Sequence, residues 1–102
     1  MAVKLLQINF KFNVTGAEYE QLADQLAAPF AEVDGLRWKI WILNEAESEA
    51  GGIYLFEDEA ALSSFLAGPL AAQVSSHPAL SEMSVKPFDV MSGPTAAARG
   101  PV

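Results

Sequence analysis

The run Leu36-Arg37-Trp38-Lys39-Ile40-Trp41-Ile42-Leu43 decides how the rest of the chain is read. It alternates with the two-residue period of a strand. Leu36, Trp38, Ile40 and Ile42 fall on one side, and Arg37, Lys39, Trp41 and Leu43 on the other. The first side is wholly apolar and predicts a buried face under helices. The second mixes two cations with an indole and suits neither open water nor a plain core. Trp41 loses too much if solvated, and Arg37 and Lys39 lose too much if buried without partners. A partly enclosed, partly wet cavity reconciles the two.

Working outward, Val3 to Phe12 reads as the first strand. Leu6, Ile8, Phe10 and Phe12 form one apolar face, and Leu5, Gln7, Asn9 and Lys11 a mostly polar one. Thr15 stands three residues before Glu18, the spacing of a capping box, and opens a helix over roughly residues 17–33. Tyr19, Leu22, Leu26, Phe30 and Val33 make its apolar stripe. Pro29 predicts a kink or an early stop near Ala28. Beyond Leu43, the polar stretch 44–49 reads as an exposed loop. Gly51-Gly52 begins a third strand and signals a bulge or a close backbone approach. Ile53 and Leu55 then alternate with Tyr54 and Phe56. Asp58 caps a second helix, and Pro69 opens a further helical turn. Residues 83–90 form a last strand in which Pro87 demands an edge position or a bulge.

The order strand, helix, strand, strand, helix, strand predicts an α+β, ferredoxin-like split βαβ fold. Four antiparallel strands then carry the helices on one face. The boundaries are one domain over residues 1–91 and a flexible tail over 92–102, where Gly, Pro and Ala dominate. The sheet face away from the helices, taken to hold Leu5, Gln7, Asn9, Trp41, Leu43, Tyr54 and Phe56, is too apolar for water. A second copy of the chain is its natural cover, which predicts a homodimer packed sheet against sheet.

Charge narrows the partners. With 102 residues, 13 acids, six bases and a net charge of −7, neither a nucleic-acid backbone nor an anionic membrane surface is an expected partner. The absence of cysteine removes thiolate metal sites and cysteine nucleophiles, and one histidine, His77, cannot build a two-histidine iron site. No metal and no other cofactor is expected. With no leader pattern and no membrane-length apolar run, a soluble cytoplasmic protein is the expectation.

Leu5-Leu-Gln-Ile-Asn-Phe-Lys-Phe-Asn13, Leu36-Arg-Trp-Lys-Ile-Trp41, Glu49-Ala-Gly-Gly-Ile-Tyr-Leu-Phe-Glu-Asp-Glu59 and Lys86-Pro-Phe-Asp-Val90 together resemble the YdhR family of mono-oxygenase-like proteins. The resemblance covers nearly the whole chain to about Val90. It implies a dimeric α/β barrel of ferredoxin-like subunits. It also implies similarity to the cofactor-free oxygenases of aromatic polyketide maturation. The resemblance does not place Arg37, whose role rests on the face argument alone.

A cofactor-independent oxygenase needs a substrate that can itself reduce oxygen, such as a phenolate. Its protein must favour that anion, keep it dry and hydrogen-bond the developing peroxide. Lys39, Tyr54 and Asn9 are the candidate catalytic groups. Trp41, Arg37, Gln7 and Phe56 are the candidate contacts to a small phenolic or quinol-like aromatic molecule. Two alternatives use the same residues: a dimer that binds a small aromatic ligand without turnover, and an isomerase or lyase that only moves protons. The acidic run Glu45, Glu47, Glu49 reads as a solvated loop.

Overall fold

The structure is a computed structural model that describes residues 2–102. Four strands, β1 (Lys4–Phe12), β2 (Leu36–Asn44), β3 (Glu49–Phe56) and β4 (Leu80–Asp89), form one antiparallel sheet in the order β2-β3-β1-β4. Helices α1 (Gly16–Ala31), α2 (Glu59–Leu66) and α3 (Pro69–Ser75) pack on one face of it. This is the expected ferredoxin-like arrangement, with β3 inserted between β1 and β2.

Local chemistry places the elements as anticipated. Glu18 N–H donates to Thr15 Oγ1 and Thr15 N–H to Glu18 Oε1, both at 3.1 Å, so two free donors at the start of α1 are satisfied. Asp58 accepts from Ala61 N–H at 2.8 Å and starts α2. Asp34-Gly35 turns the chain into β2 with Gly35 at φ +78°, a conformation open to glycine. Pro29 does not stop α1, which runs to Ala31. Its missing N–H frees only the Gln25 carbonyl, one turn before the helix ends anyway. Pro87 is tolerated because β4 is an edge strand. The polar stretch after β2 closes as a single 3-10 turn, Glu45–Glu47.

The core lies between sheet and helices. Leu6, Ile8, Phe10 and Phe12 of β1, Tyr54 and Phe56 of β3, Tyr19 and Phe30 of α1, and Leu62 and Phe65 of α2 are all buried there. Burying a large apolar side chain is worth about 1.5–3 kcal/mol, so this aromatic cluster supplies most of the drive to fold.

One irregularity reverses the reading of β2. Leu36 lies opposite Phe56, but Trp38 already lies opposite Leu55, so Arg37 is an extra residue in the ladder. Such a bulge moves every later side chain to the other face. Leu36 therefore packs under the helices as expected, and Trp38, Ile40 and Ile42 do not. Lys39 and Trp41 take the helix side, opposite Tyr54 and Gly52. Tyr54 and Phe56, expected on the uncovered face, are core residues in line with Leu6 and Lys4.

The segment after β4 also takes a defined path. Residues Ser92–Ala97 form a short helix, α4, and Trp38 Nε1 donates to the carbonyl of Pro101 at 2.9 Å. Trp38 sits on the strand at the far edge from β4, so the C-terminal residues cross the face away from α1, α2 and α3. Leu55, the neighbour of Trp38 on that face, is 0 % exposed yet outside the main core. Among the described residues, no helix is long and apolar enough to cross a membrane.

Candidate functional site

The bulge at Arg37 brings Lys39 beneath α1, where the helix presents Phe30. The Lys39 ammonium nitrogen lies 3.3 Å from the centroid of the Trp41 ring, 3.4 Å from that of Phe30 and 4.7 Å from that of Tyr54. Phe30 meets Trp41 edge-on at 5.3 Å, and Tyr54 and Phe65 close the far side. A half-buried cation is thus walled by three aromatic rings, Trp41, Phe30 and Tyr54, with Phe65 packed behind the last two. It has no carboxylate partner among the described residues, where the ion pair present is Lys4–Asp89.

Electrostatics follow from that enclosure. Loss of water disfavours the ammonium, and burial lowers the Lys39 pKa to about 7. The ring faces pull the other way, since a desolvated cation over an aromatic ring gains about 2 kcal/mol. The same burial raises the Tyr54 phenol well above its ordinary value, with nearby Tyr19 adding to the effect, and pushes Tyr19 up to about 12. Tyr54 is therefore a neutral O–H donor near pH 7. No fully buried side-chain nitrogen or oxygen among the described residues lacks a hydrogen-bond partner. The Lys39 amine and the Tyr54 hydroxyl, which have none, accordingly keep access to solvent.

Two cavities flank this cluster. One of about 370 Å³ lies between α1 and the edge strand, lined by Tyr19, Ala23, Asp24, Ala27, Trp41 and Leu43 among others. A second of about 290 Å³ lies beside Tyr54, Phe65, Ile8, Val74 and Met83, between α2–α3 and the β1–β4 side. Trp41 has one side on Lys39 and another on the first cavity; Tyr54 relates Lys39 to the second in the same way. Each space suits a small aromatic ring.

The seven residues singled out from the sequence are divided by the sheet. Lys39, Tyr54 and Trp41 are brought together. Phe56 is on the same side but 0 % exposed, stacked on Tyr54 with centroids 6.1 Å apart, so it is packing. Gln7 and Asn9 lie on the opposite face and satisfy each other. Gln7 Nε2 donates to Asn9 Oδ1 at 3.0 Å, and Asn9 Nδ2 donates to Glu49 Oε2 at 3.1 Å. Arg37 is exposed at the bulge and outside the ring cluster. The cavity thus sits under the helices, not on the uncovered face, because the bulge exchanges the two sides of β2. Phe30, read only as one member of a helical stripe, is the residue whose role the sequence hid.

Comparison with solved structures supports this fold. The chain is similar to SnoaB, a cofactor-independent oxygenase from Streptomyces nogalater, at 20 % identity and a TM-score of 0.73, covering 90 % of this chain and 96 % of that one. A Nitrosomonas europaea protein of unknown function matches at 19 % identity and a TM-score of 0.67, covering 90 % and 92 %. The heme-degrader MhuD from Mycobacterium tuberculosis, solved with two hemes in its active site, matches at 19 % identity and a TM-score of 0.66, covering 85 % and 95 %. A search of curated proteins finds no match. Over residues 5–101 the sequence matches the family described as "Putative mono-oxygenase ydhR", and the chain belongs to that family.

Proposed function

We propose that this protein is a mono-oxygenase that uses molecular oxygen directly on a small phenolic or quinol-like substrate, with no resident cofactor. The observation that carries the reading is the Lys39 amine, unpaired with any carboxylate and walled by Trp41, Phe30 and Tyr54. Family membership and the likeness to SnoaB support it.

In the reaction, the neutral amine takes the phenolic proton, and the resulting phenolate gives an electron to oxygen. The two radicals join to form a peroxide at the ring carbon ortho or para to the phenolic oxygen. Lys39 returns its proton to that peroxide, then accepts the proton on the same carbon as the O–O bond breaks. One oxygen atom stays on the ring as a quinone carbonyl and the other leaves as hydroxide, which takes the proton back from Lys39 to become water. Burial of the amine matters here because a base works best with a pKa near the working pH. Tyr54 donates to the substrate oxygen, and Trp41 stacks on the ring.

Oxygen uptake with a panel of phenols and hydroquinones tests this. Turnover above buffer that falls in Lys39→Ala is expected. Equal rates in buffer, wild type and variant would overturn it. Scarcity of polar groups around the amine favours one second reading, a non-catalytic binder of small aromatics. That reading requires a rise in melting temperature with ligand and no oxygen consumption.

The sheet face away from the helices, which the C-terminal residues meet at Trp38, supports pairing with a second copy. Ile40 and Phe88, on the two edge strands of that face, are 49 % and 46 % exposed, large apolar side chains that a partner would take from water. Sedimentation at micromolar concentration is expected to give a dimer, and a monomer would remove this part of the proposal.

A further inference from the structure

Two glycines follow one another in β3, at the centre of the sheet, where glycine weakens a strand and must be accounted for. Their surroundings differ. A Cβ on Gly51 would lie 1.9 Å from the carbonyl oxygen of Ile8, a backbone atom in the paired strand β1 that cannot withdraw without breaking the ladder. A Cβ on Gly52 would lie 2.7 Å from Lys39 Cε and 3.1 Å from Tyr54 Cε1. The nearer of these is the far end of a flexible side chain. Gly51 thus clears backbone, and Gly52 clears a lysine stem.

We infer that Gly52 is the positioning residue for Lys39: its missing side chain is the slot through which the stem crosses β3 to lodge the amine between Phe30 and Trp41. Lys39 pairs in register with Tyr54, not Gly52, so reaching the slot requires the stem to lie diagonally across the strand. β2 is an edge strand, and a lysine on such a strand ordinarily extends past the edge into water. Filling the slot leaves that exit as the only course. The titratable group facing the amine is the Tyr54 phenol from β3, while α1 contributes the ring of Phe30. The inference deepens the reading of Lys39 as the acting group and rests on it, but its test reads the amine and not turnover.

Trace acetylation with acetic anhydride, followed lysine by lysine by mass spectrometry across pH, supplies that test. In wild type, Lys39 should gain reactivity through about pH 7. In Gly52→Ala, Lys39 should return to the reference value of a solvated lysine, ~10.4, so its neutral fraction at pH 7 falls by on the order of 10³-fold. A wild-type Lys39 that titrates at that reference value overturns the inference, and so does an unchanged midpoint in Gly52→Ala. Should Gly52→Ala fail to fold, the double variant Lys39→Ala/Gly52→Ala decides, because it removes the one atom nearer than 3.0 Å and leaves only the tight but tolerable approach to the Tyr54 ring. Recovery of the fold supports the slot, and failure of both alike refutes it. Gly51→Ala is expected to lose the fold whatever stands at position 39.

Discussion

The two faces of this sheet are built from similar residues and end in opposite conditions. The helix side holds Leu6, Ile8, Phe10, Tyr54 and Phe56 with Lys39 threaded among them. The other side holds Gln7, Asn9, Trp38, Ile40, Ile42 and Leu55. Each carries a tryptophan and a run of branched aliphatics, so apolarity alone does not say which is inside. The difference is a single inserted residue, Arg37. What decides the chemistry of Lys39 is therefore pairing register and not composition.

The largest effect that could break the comparison concerns turnover. Lys39→Ala is expected to lower the oxygen-uptake rate by about 10²–10⁴-fold, the usual range for losing a positioned proton acceptor. A variant within twofold of wild type would return Lys39 to the status of a packing residue. Next comes stability. Phe56→Ala should cost about 3–5 kcal/mol in urea unfolding, since a fully buried ring is removed from the core. Ile40→Ser on the other face should cost less than about 0.5 kcal/mol in the monomer. Similar costs for the two would mean that the faces are not distinct in burial.

A third experiment sharpens the electrostatic side. The folded pKa of Lys39, about 7, lies below its unfolded value. Between those two values the unfolded chain binds more protons, so stability should rise with pH from about 7 towards about 9.5, below the range where tyrosines ionise. Below the folded pKa both states carry the charge and the slope from this group vanishes. Lys39→Met should flatten the profile of melting temperature against pH across that window. A slope that persists in the variant would assign it to other groups. The smallest expected effect is at Asn9. Asn9→Ala should change turnover less than about twofold, the residue being behind the sheet and engaged with Gln7 and Glu49. A large loss would put the reaction on the wrong face.

The fold was readable because period, caps and turns agreed. Thr15 and Glu18, Asp58 and Pro69 each marked an element end for a reason local to the chain. The site was only half readable. Lys39, Trp41 and Tyr54 could be picked out by chemistry. Their grouping with Phe30, and their separation from Gln7 and Asn9, depend on the Arg37 bulge, and a bulge without glycine leaves no mark in the alternation pattern. Gly52 was visible as an anomaly, but its neighbour across the strand was not. The Trp38–Pro101 contact was hidden for a related reason. Small residues and prolines lack a hydrophobic pattern, yet their backbone carbonyls can still serve an indole N–H, as Pro101 does for Trp38.

That last contact has a kinetic consequence. A surface already occupied by the end of its own chain is not free to receive a visitor at every collision. If a second copy uses the strip beside Trp38, the strap must first lift or slide. Association would then run below the rate set by diffusion and would quicken when the last residues are trimmed. The indole is its own gauge of the event, since losing the Pro101 carbonyl and meeting water would shift its emission to longer wavelength.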